Sequence, residues 1–207
     1  MKVMHGIDII FLHYRKAFDT VPHKRLLVKL VELGITGKLL RWIKNFLFGR
    51  YMRVVVRDTF SKWIEVSSGV PQGSVLGPLL FLIFVNELPE WIVNSMKMFA
   101  DDTKIWTAID EVEDSNSLQA DLDQLVRWSE IWLLKFNVAK CKVMHMGHNH
   151  PTKYFMNVEQ VHHPLTEVTE ERDLGVLVTN DLKPSMQCAQ AAKKAMSIYT
   201  RPHQTDV

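Results

Sequence analysis

The sequence predicts an α+β domain in which an antiparallel sheet is backed by helices. Three observations lead there. Short strand-type runs and amphipathic stripes are mixed, without the regular βαβ alternation that builds a parallel sheet. A hydrophobic content of 47% against 23% charged residues is that of a chain with an ordinary core. A length of 207 residues suits one domain, or one large lobe of something bigger.

Each element has its own reason. The apolar run IDIIFL at 7–12 is of strand type. TVPHKRLLVKLVELG reads as a helix with Pro22 near its start, Leu26, Leu27, Leu30 and Val31 facing inward, and Gly34 as a stop. TGKLLRWIKNFLFG puts Leu39, Leu40, Ile43, Phe46 and Leu47 on one face of a second helix, with Lys38, Arg41 and Lys44 on another. YMRVVVRDTFSKWIEVSSG suits two strands joined near Asp58. SGVPQGSVLGPLLFLIFVNELP is a loop punctuated by Gly and Pro that runs into an apolar helix ending near Pro89. MKMFADDTKIWTAI at 96–109 reads as a hairpin turning at Asp101-Asp102. Residues 115–133 carry Leu118, Leu122, Leu125 and Trp132 at helical spacing. KCKVMHMG and RDLGVLV are further strands, and CAQAAKKAMSIY is a closing helix.

Composition bounds the surroundings. The longest apolar run, at 75–85, is interrupted by Gly77 and Pro78. It falls short of the roughly 20 residues of a membrane helix. Asp8 interrupts any leader-like start. Cys141 and Cys188 are far apart and form no paired pattern. The expectation is an intracellular protein, in cytoplasm or nucleus, with free thiols and no membrane partner. Net charge is +2, yet residues 1–57 carry 12 Lys/Arg against 3 Asp/Glu, while 58–130 carry 4 against 13. A basic first quarter is either a polyanion-binding surface or a set of solvated helix faces.

Two stretches carry candidate chemistry. A hairpin with Asp101 and Asp102 at its tip is either a plain turn, where Asp is common, or a mount for a hard cation such as Mg2+. Two-metal phosphoryl transfer would need a further carboxylate from another strand. In SGVPQGSVLGP, Gly69, Gly73 and Gly77 permit positive φ or close backbone approach, Pro71 stiffens the entry, and Ser74 is placed to cap the next helix. Such a loop can lay a nucleotide against backbone, or can be a tight turn with a cap. His145, His148 and His150 follow Cys141, with His162 and His163 soon after, but the spacing is not that of a zinc finger. Trp63, Trp91, Trp106, Trp128 and Trp132 read as core or edge packing rather than base-stacking platforms.

The blocks KAFDTVPHKRLL, SGVPQGSVLGPLLFLIFVNELP, FADDTKI, WSEIWLLKFNVAKCKVMHMG and ERDLGVLV resemble, in order, those of reverse transcriptases of non-LTR (LINE-type, jockey-like) retrotransposons. The resemblance runs from about Ile7 to about Tyr199. It implies a polymerase palm over 1–180, with an antiparallel sheet backed by helices, and the start of a thumb or connection helix and a frayed C-terminus over 181–207. It also implies RNA-directed DNA synthesis with an RNA template, a DNA primer, deoxynucleotides and Mg2+, or Mn2+. In this numbering, Asp101 and Asp102 match the metal-binding pair, and Phe18 the aromatic under the deoxyribose. Pro71, Gln72 and Gly73 match the loop along the nascent base pair. Lys140 matches a lysine near the leaving pyrophosphate, and Leu174, Gly175 and Val176 resemble the primer-grip turn.

The chain departs from this pattern at one decisive place. The family's first block reads like FLDFSKAFD, its first aspartate being the third metal ligand; here the block is FLHYRKAFD, and that position is His13. Imidazole is a poor ligand for hard Mg2+ and brings no negative charge. Asp8, five residues away, falls on the opposite face of a strand. Asp19 is the aspartate the family carries in addition to the ligand. The expectation is a polymerase palm with a degenerate metal site, its ion weakly held or lost, and with fingers and thumb largely missing. The alternative is a non-catalytic nucleic-acid-binding or interaction module on the same fold.

Overall fold

The computed structural model describes residues 6–147 and 152–199. In chain order the elements are β1 (Gly6–His13), α1 (Ala17–Thr20), α2 (His23–Glu32), α3 (Gly37–Leu47), β2 (Tyr51–Met52), β3 (Val55–Val56), β4 (Thr59–Phe60), β5 (Ile64–Glu65), α4 (Leu76–Val85), β6 (Ser95–Phe99), β7 (Asp102–Ile109) and α5 (Val112–Trp132). There follow β8 (Lys142–Met146), β9 (Phe155–Val158), β10 (Val161–Pro164), β11 (Thr166–Glu167), β12 (Glu170–Asp173), β13 (Val176–Thr179) and α6 (Ser185–Tyr199). No described helix is long and apolar enough to cross a membrane.

The five-stranded sheet has the order β11-β8-β1-β7-β6, with β1 at its centre. Strand β1 is antiparallel to β7 and β8, and β6 is antiparallel to β7. The short edge strand β11 is parallel to β8, so the expected antiparallel sheet is antiparallel except at one edge. Alternation along β1 divides its side chains between two environments. Ile10 and Leu12 join Ile105, Val143 and the apolar faces of α2, α4 and α5 in the main core. Phe11 joins Met144 and Met146 in a smaller cluster on the other face, covered by Val168 and Val178.

The long α5 starts with a reciprocal capping box between Glu111 and Asp114. It buries Leu118, Leu122, Leu125 and Trp128, extending three residues further N-terminally than the leucine spacing suggested. The hairpin at 51–65 forms as expected, with its turn at Arg57-Asp58. Two inward assignments are overturned, since Val31 and Leu39 are exposed, and Trp63, read as core or edge packing, is at the exposed edge. On α2 the inward place beside Leu30 goes to Lys29. Its ammonium sits 3.8 Å from the Trp132 ring centre and 2.6 Å from Glu87. Leu39 and Trp63 lie on α3 and next to β5, whose outer surfaces have no covering layer among the described residues.

Candidate active site

The carboxylate hairpin turns one residue earlier than the sequence suggested. Phe99 pairs with Asp102, leaving Ala100 and Asp101 as the two-residue loop, with Ala100 at φ 53°. Asp102 is therefore the first residue of β7 rather than a turn residue. Asp102 faces the side of the sheet that carries Phe11. Asp101 at the tip lies near the buried Tyr14 phenol, whose pKa burial pushes far up.

The register across the sheet centre places His13 directly opposite Asp102. Their side chains are 3.4 Å apart, Nδ1 to Oδ1, and are 32% and 49% exposed. The His13 backbone is fixed from the far side. Its carbonyl accepts the Asn137 amide at 2.7 Å and the Cys141 thiol at 3.9 Å. Burial pushes that thiol up to about 11, so it serves as a donor and not as a thiolate. Asp8 is confirmed on the opposite face, fully buried, where it accepts from His145 Nδ1 at 2.5 Å and the Tyr154 hydroxyl at 2.6 Å.

In front of His13 and Asp102 lies a cleft of about 280 Å³, lined also by Phe99, Lys97, Thr103 and Leu174. Its far wall is the β12–β13 hairpin. That hairpin turns through Leu174 and Gly175, both at positive φ (48° and 87°), as a two-residue loop of right-handed twist requires. Two ion pairs hold it to the sheet, Lys104 with Asp173 and Lys142 with Glu171, the latter at 2.6 Å. Lys104 and Lys142 flank Phe11 in one cross-strand row.

The Gly/Pro loop is laced to the segment after β1. The Gly69 amide donates to the Val21 carbonyl at 2.8 Å, the Val70 amide to Phe18 at 2.7 Å, and His23 Nε2 to the Gly69 carbonyl at 2.7 Å. Gln72 Nε2 donates to Asp19 at 2.9 Å. Gly69 needs to be glycine twice over: φ is +89°, and a Cβ would lie 2.7 Å from the Asp19 carbonyl oxygen. Ser74 Oγ accepts the Gly77 amide at 2.9 Å, capping α4 one residue upstream of its geometric cap. Phe18 is stacked on Phe81 at 4.6 Å beside this loop, while Pro71, Gln72 and Gly73 form its outer bend.

The structure thus brings His13, Asp102 and Leu174 to one cleft, while Asp101 sits in the adjoining hairpin turn and does not line it. It puts Phe18 and the 71–73 bend together as a second group. Lys140 is exposed on the short turn beside the end of β1 and does not line the cleft. Lys97 and Phe99 line it and were not foreseen. The apolar alternation of β6 and β7 fits both hairpin registers, which share one parity, so no sequence signal chose between them. The Cys/His stretch forms no zinc site among the described residues. Cys141 is a buried thiol, His145 is taken by Asp8 and His162 by Asn157, while His148 and His150 lie outside the described residues.

The profile of the family described as reverse transcriptase (RNA-dependent DNA polymerase) matches residues 7–176. The chain belongs to the reverse transcriptase family. It is similar to the RNA-directed DNA polymerase from mobile element jockey of Drosophila melanogaster, 34% identical over 63% of this chain and 15% of that protein. It is also similar to the probable RNA-directed DNA polymerase from transposon X-element of the same species, 28% identical over 84% of this chain and 19% of that one. The domain is accordingly a reverse transcriptase domain of the non-LTR retrotransposon type, and it spans less than a fifth of the length of these relatives. A solved structure of apo telomerase from Candida tropicalis, truncated from its C-terminal domain, shares the fold. The TM-score is 0.59 at 12% identity, covering 88% of this chain and 36% of that one.

The family implies Mg2+, and the residues at this end of the sheet do not fit it. A two-ion Mg2+ site wants carboxylate oxygens from both strands. Here β1 offers an imidazole, and no group of three or more His, Cys, Asp or Glu side chains among the described residues is placed to hold a metal ion.

Proposed function

We propose that this reverse transcriptase domain is an RNA-directed DNA polymerase palm that retains its nucleic-acid and nucleotide surfaces but is impaired in catalysis. The observation that carries this reading is the pairing of His13 with Asp102. Position 13 faces the carboxylate hairpin across the strand pair, where the family pattern has an aspartate, and imidazole supplies no negative charge there.

The rest of the reading assigns roles to the residues that match the family's motifs. Asp101 and Asp102 are the surviving carboxylates. Phe18, backed by Phe81, is a flat floor for a sugar ring. The 71–73 bend lies along a nascent base pair, with Gln72 held by Asp19. That bond decides what Gln72 offers a ligand: a carboxylate only accepts, so the amide nitrogen faces Asp19 and the carbonyl oxygen is left outward. The Leu174-Gly175 turn stands over the cleft as a primer grip, and Lys140 is the candidate proton donor beside the end of β1. An RNA template, a DNA primer and deoxynucleotides are the ligands this arrangement suits.

The same substitution favours a second reading, a nucleic-acid-binding module without catalysis. Binding of an RNA-template/DNA-primer duplex across a salt series, paired with primer extension in Mg2+ and in Mn2+, separates the outcomes. Salt-dependent binding with weak extension is the expected result; binding with none at all favours the second reading. Extension at the rate of an intact polymerase with His13 in place contradicts impairment, and absence of binding contradicts both readings.

A further inference from the structure

We propose that the hairpin at 51–65 is a platform for single-stranded nucleic acid, on which one guanidinium and two aromatic rings take an unpaired base and its phosphate. The inference goes beyond the polymerase reading, since it needs neither the carboxylate end of the sheet nor extension of a primer.

Three observations carry it. The first is how the face is built. Between the pairs Met52–Ile64 and Val55–Phe60, one strand has two residues and the other three, so the second strand carries a β-bulge. Ser61 clamps it: its hydroxyl accepts the Val54 amide at 2.8 Å, and its own amide donates to the Val54 carbonyl at 2.9 Å. Phe60 and Trp63, three residues apart, would face opposite sides of a regular strand. The extra residue turns both to the face that carries Arg53. The Arg53 guanidinium carbon lies 4.1 Å from the Phe60 ring centre and 4.7 Å from that of Trp63.

The second observation is access. Every residue from 50 to 65 is exposed, and Phe60 and Trp63 are 55% and 60% open to solvent. Neither ring serves the core, so the packing role expected of Trp63 does not account for it. The opposite face is aliphatic, with Met52, Val54, Val56 and Ile64 outward, and offers neither charge nor flat rings.

The third is charge. No carboxylate among the described residues is ion-paired with Arg53. Arg50, Arg57 and Lys62 stand on the same segment, against Asp58 and Glu65, which leaves residues 50–65 at +2, four cations less two anions. A single strand matches this surface: its phosphates accept from the planar fork and its bases present free π-faces. In a duplex those faces are covered by neighbouring bases, and an acidic peptide brings the charge without them.

The test is fluorescence anisotropy of labelled oligo(dT) and oligo(U), about a dozen nucleotides long, titrated with the full chain beside a blunt RNA–DNA duplex. Arg53→Lys keeps the charge but loses the flat fork, Trp63→Ala removes one ring, and Trp63→Phe restores a ring. Ile64→Ser alters the aliphatic face of the same hairpin. Circular dichroism checks that each variant folds. Wild type should bind both single strands, and Arg53→Lys and Trp63→Ala should each weaken that binding about tenfold. Trp63→Phe should recover most of the loss, Ile64→Ser should bind like wild type, and all should bind the blunt duplex alike. Single strands bound as tightly by Trp63→Ala as by wild type, or weakened as much by Ile64→Ser, overturn the proposal. The two readings fail separately. If the duplex binds but single strands do not, the polymerase reading stands and this inference falls. If single strands bind through Arg53 and Trp63 while the primer–template duplex does not bind, the reverse holds.

Discussion

Asp8 and His145 meet across β1 and β8 with the carboxylate wholly out of solvent, and Tyr154 donates to its second oxygen. A carboxylate buried this deeply is tolerated only because both oxygens are satisfied. The hydrogen bond to Asp8 raises the His145 pKa above its ordinary value, more than burial lowers it. The sign follows. With the folded value raised, the stabilisation is fully present below the unfolded value of about 6.5 and is lost as pH rises through the folded one. His145→Gln should therefore cost about 1.5–3 kcal/mol at pH 6 and measurably less at pH 9, read from urea unfolding at both. A cost independent of pH would rule out the charged pair. Neither this contact nor Lys29 with Glu87 was legible in the sequence. Each joins residues more than 50 positions apart, and a lone charge in an apolar stripe looks like a solvated one until its partner is known.

Among the elements, the 68–72 loop and the β12–β13 hairpin are held by different forces, and each has its own consequence. The loop is tied by backbone bonds and close approach, so Gly69→Ala combines strain at φ +89° with a collision against Asp19. It should cost about 2 kcal/mol or more, seen as a lower urea midpoint with an unchanged slope. A variant as stable as wild type would show that the loop is not packed as described. The hairpin instead rests on two partly exposed ion pairs above a small apolar cluster. Glu171→Gln with Asp173→Asn should raise amide exchange across Val176–Thr179 while barely moving global stability, as local opening does. Loss of global stability would mean the hairpin is part of the main cooperative unit. The element types were legible because helical and alternating periods differ, as α5 shows with Leu118, Leu122 and Leu125. Strand register was not: Phe99 with Asp102, rather than one residue later, depends on how β7 docks against β1, a long-range condition.

For the whole molecule, the fold and the family were both present in five ordered sequence blocks, and the profile match over 7–176 agrees with them. The sequence also showed that position 13 is a histidine. What it did not show is that this histidine stands in strand register with Asp102, 3.4 Å away, at the mouth of a cleft closed by the Leu174-Gly175 turn. Cross-strand neighbours need a register, and the register needed the structure. The proposed impairment rests on one side chain, His13, which stands opposite Asp102 where the family pattern has an aspartate. Primer extension on an RNA template, comparing wild type with His13→Asp at equal protein and Mg2+ concentrations, tests it most directly. The restored carboxylate should raise extension by orders of magnitude, roughly 4 kcal/mol per thousandfold. Equal rates for the two proteins would contradict it.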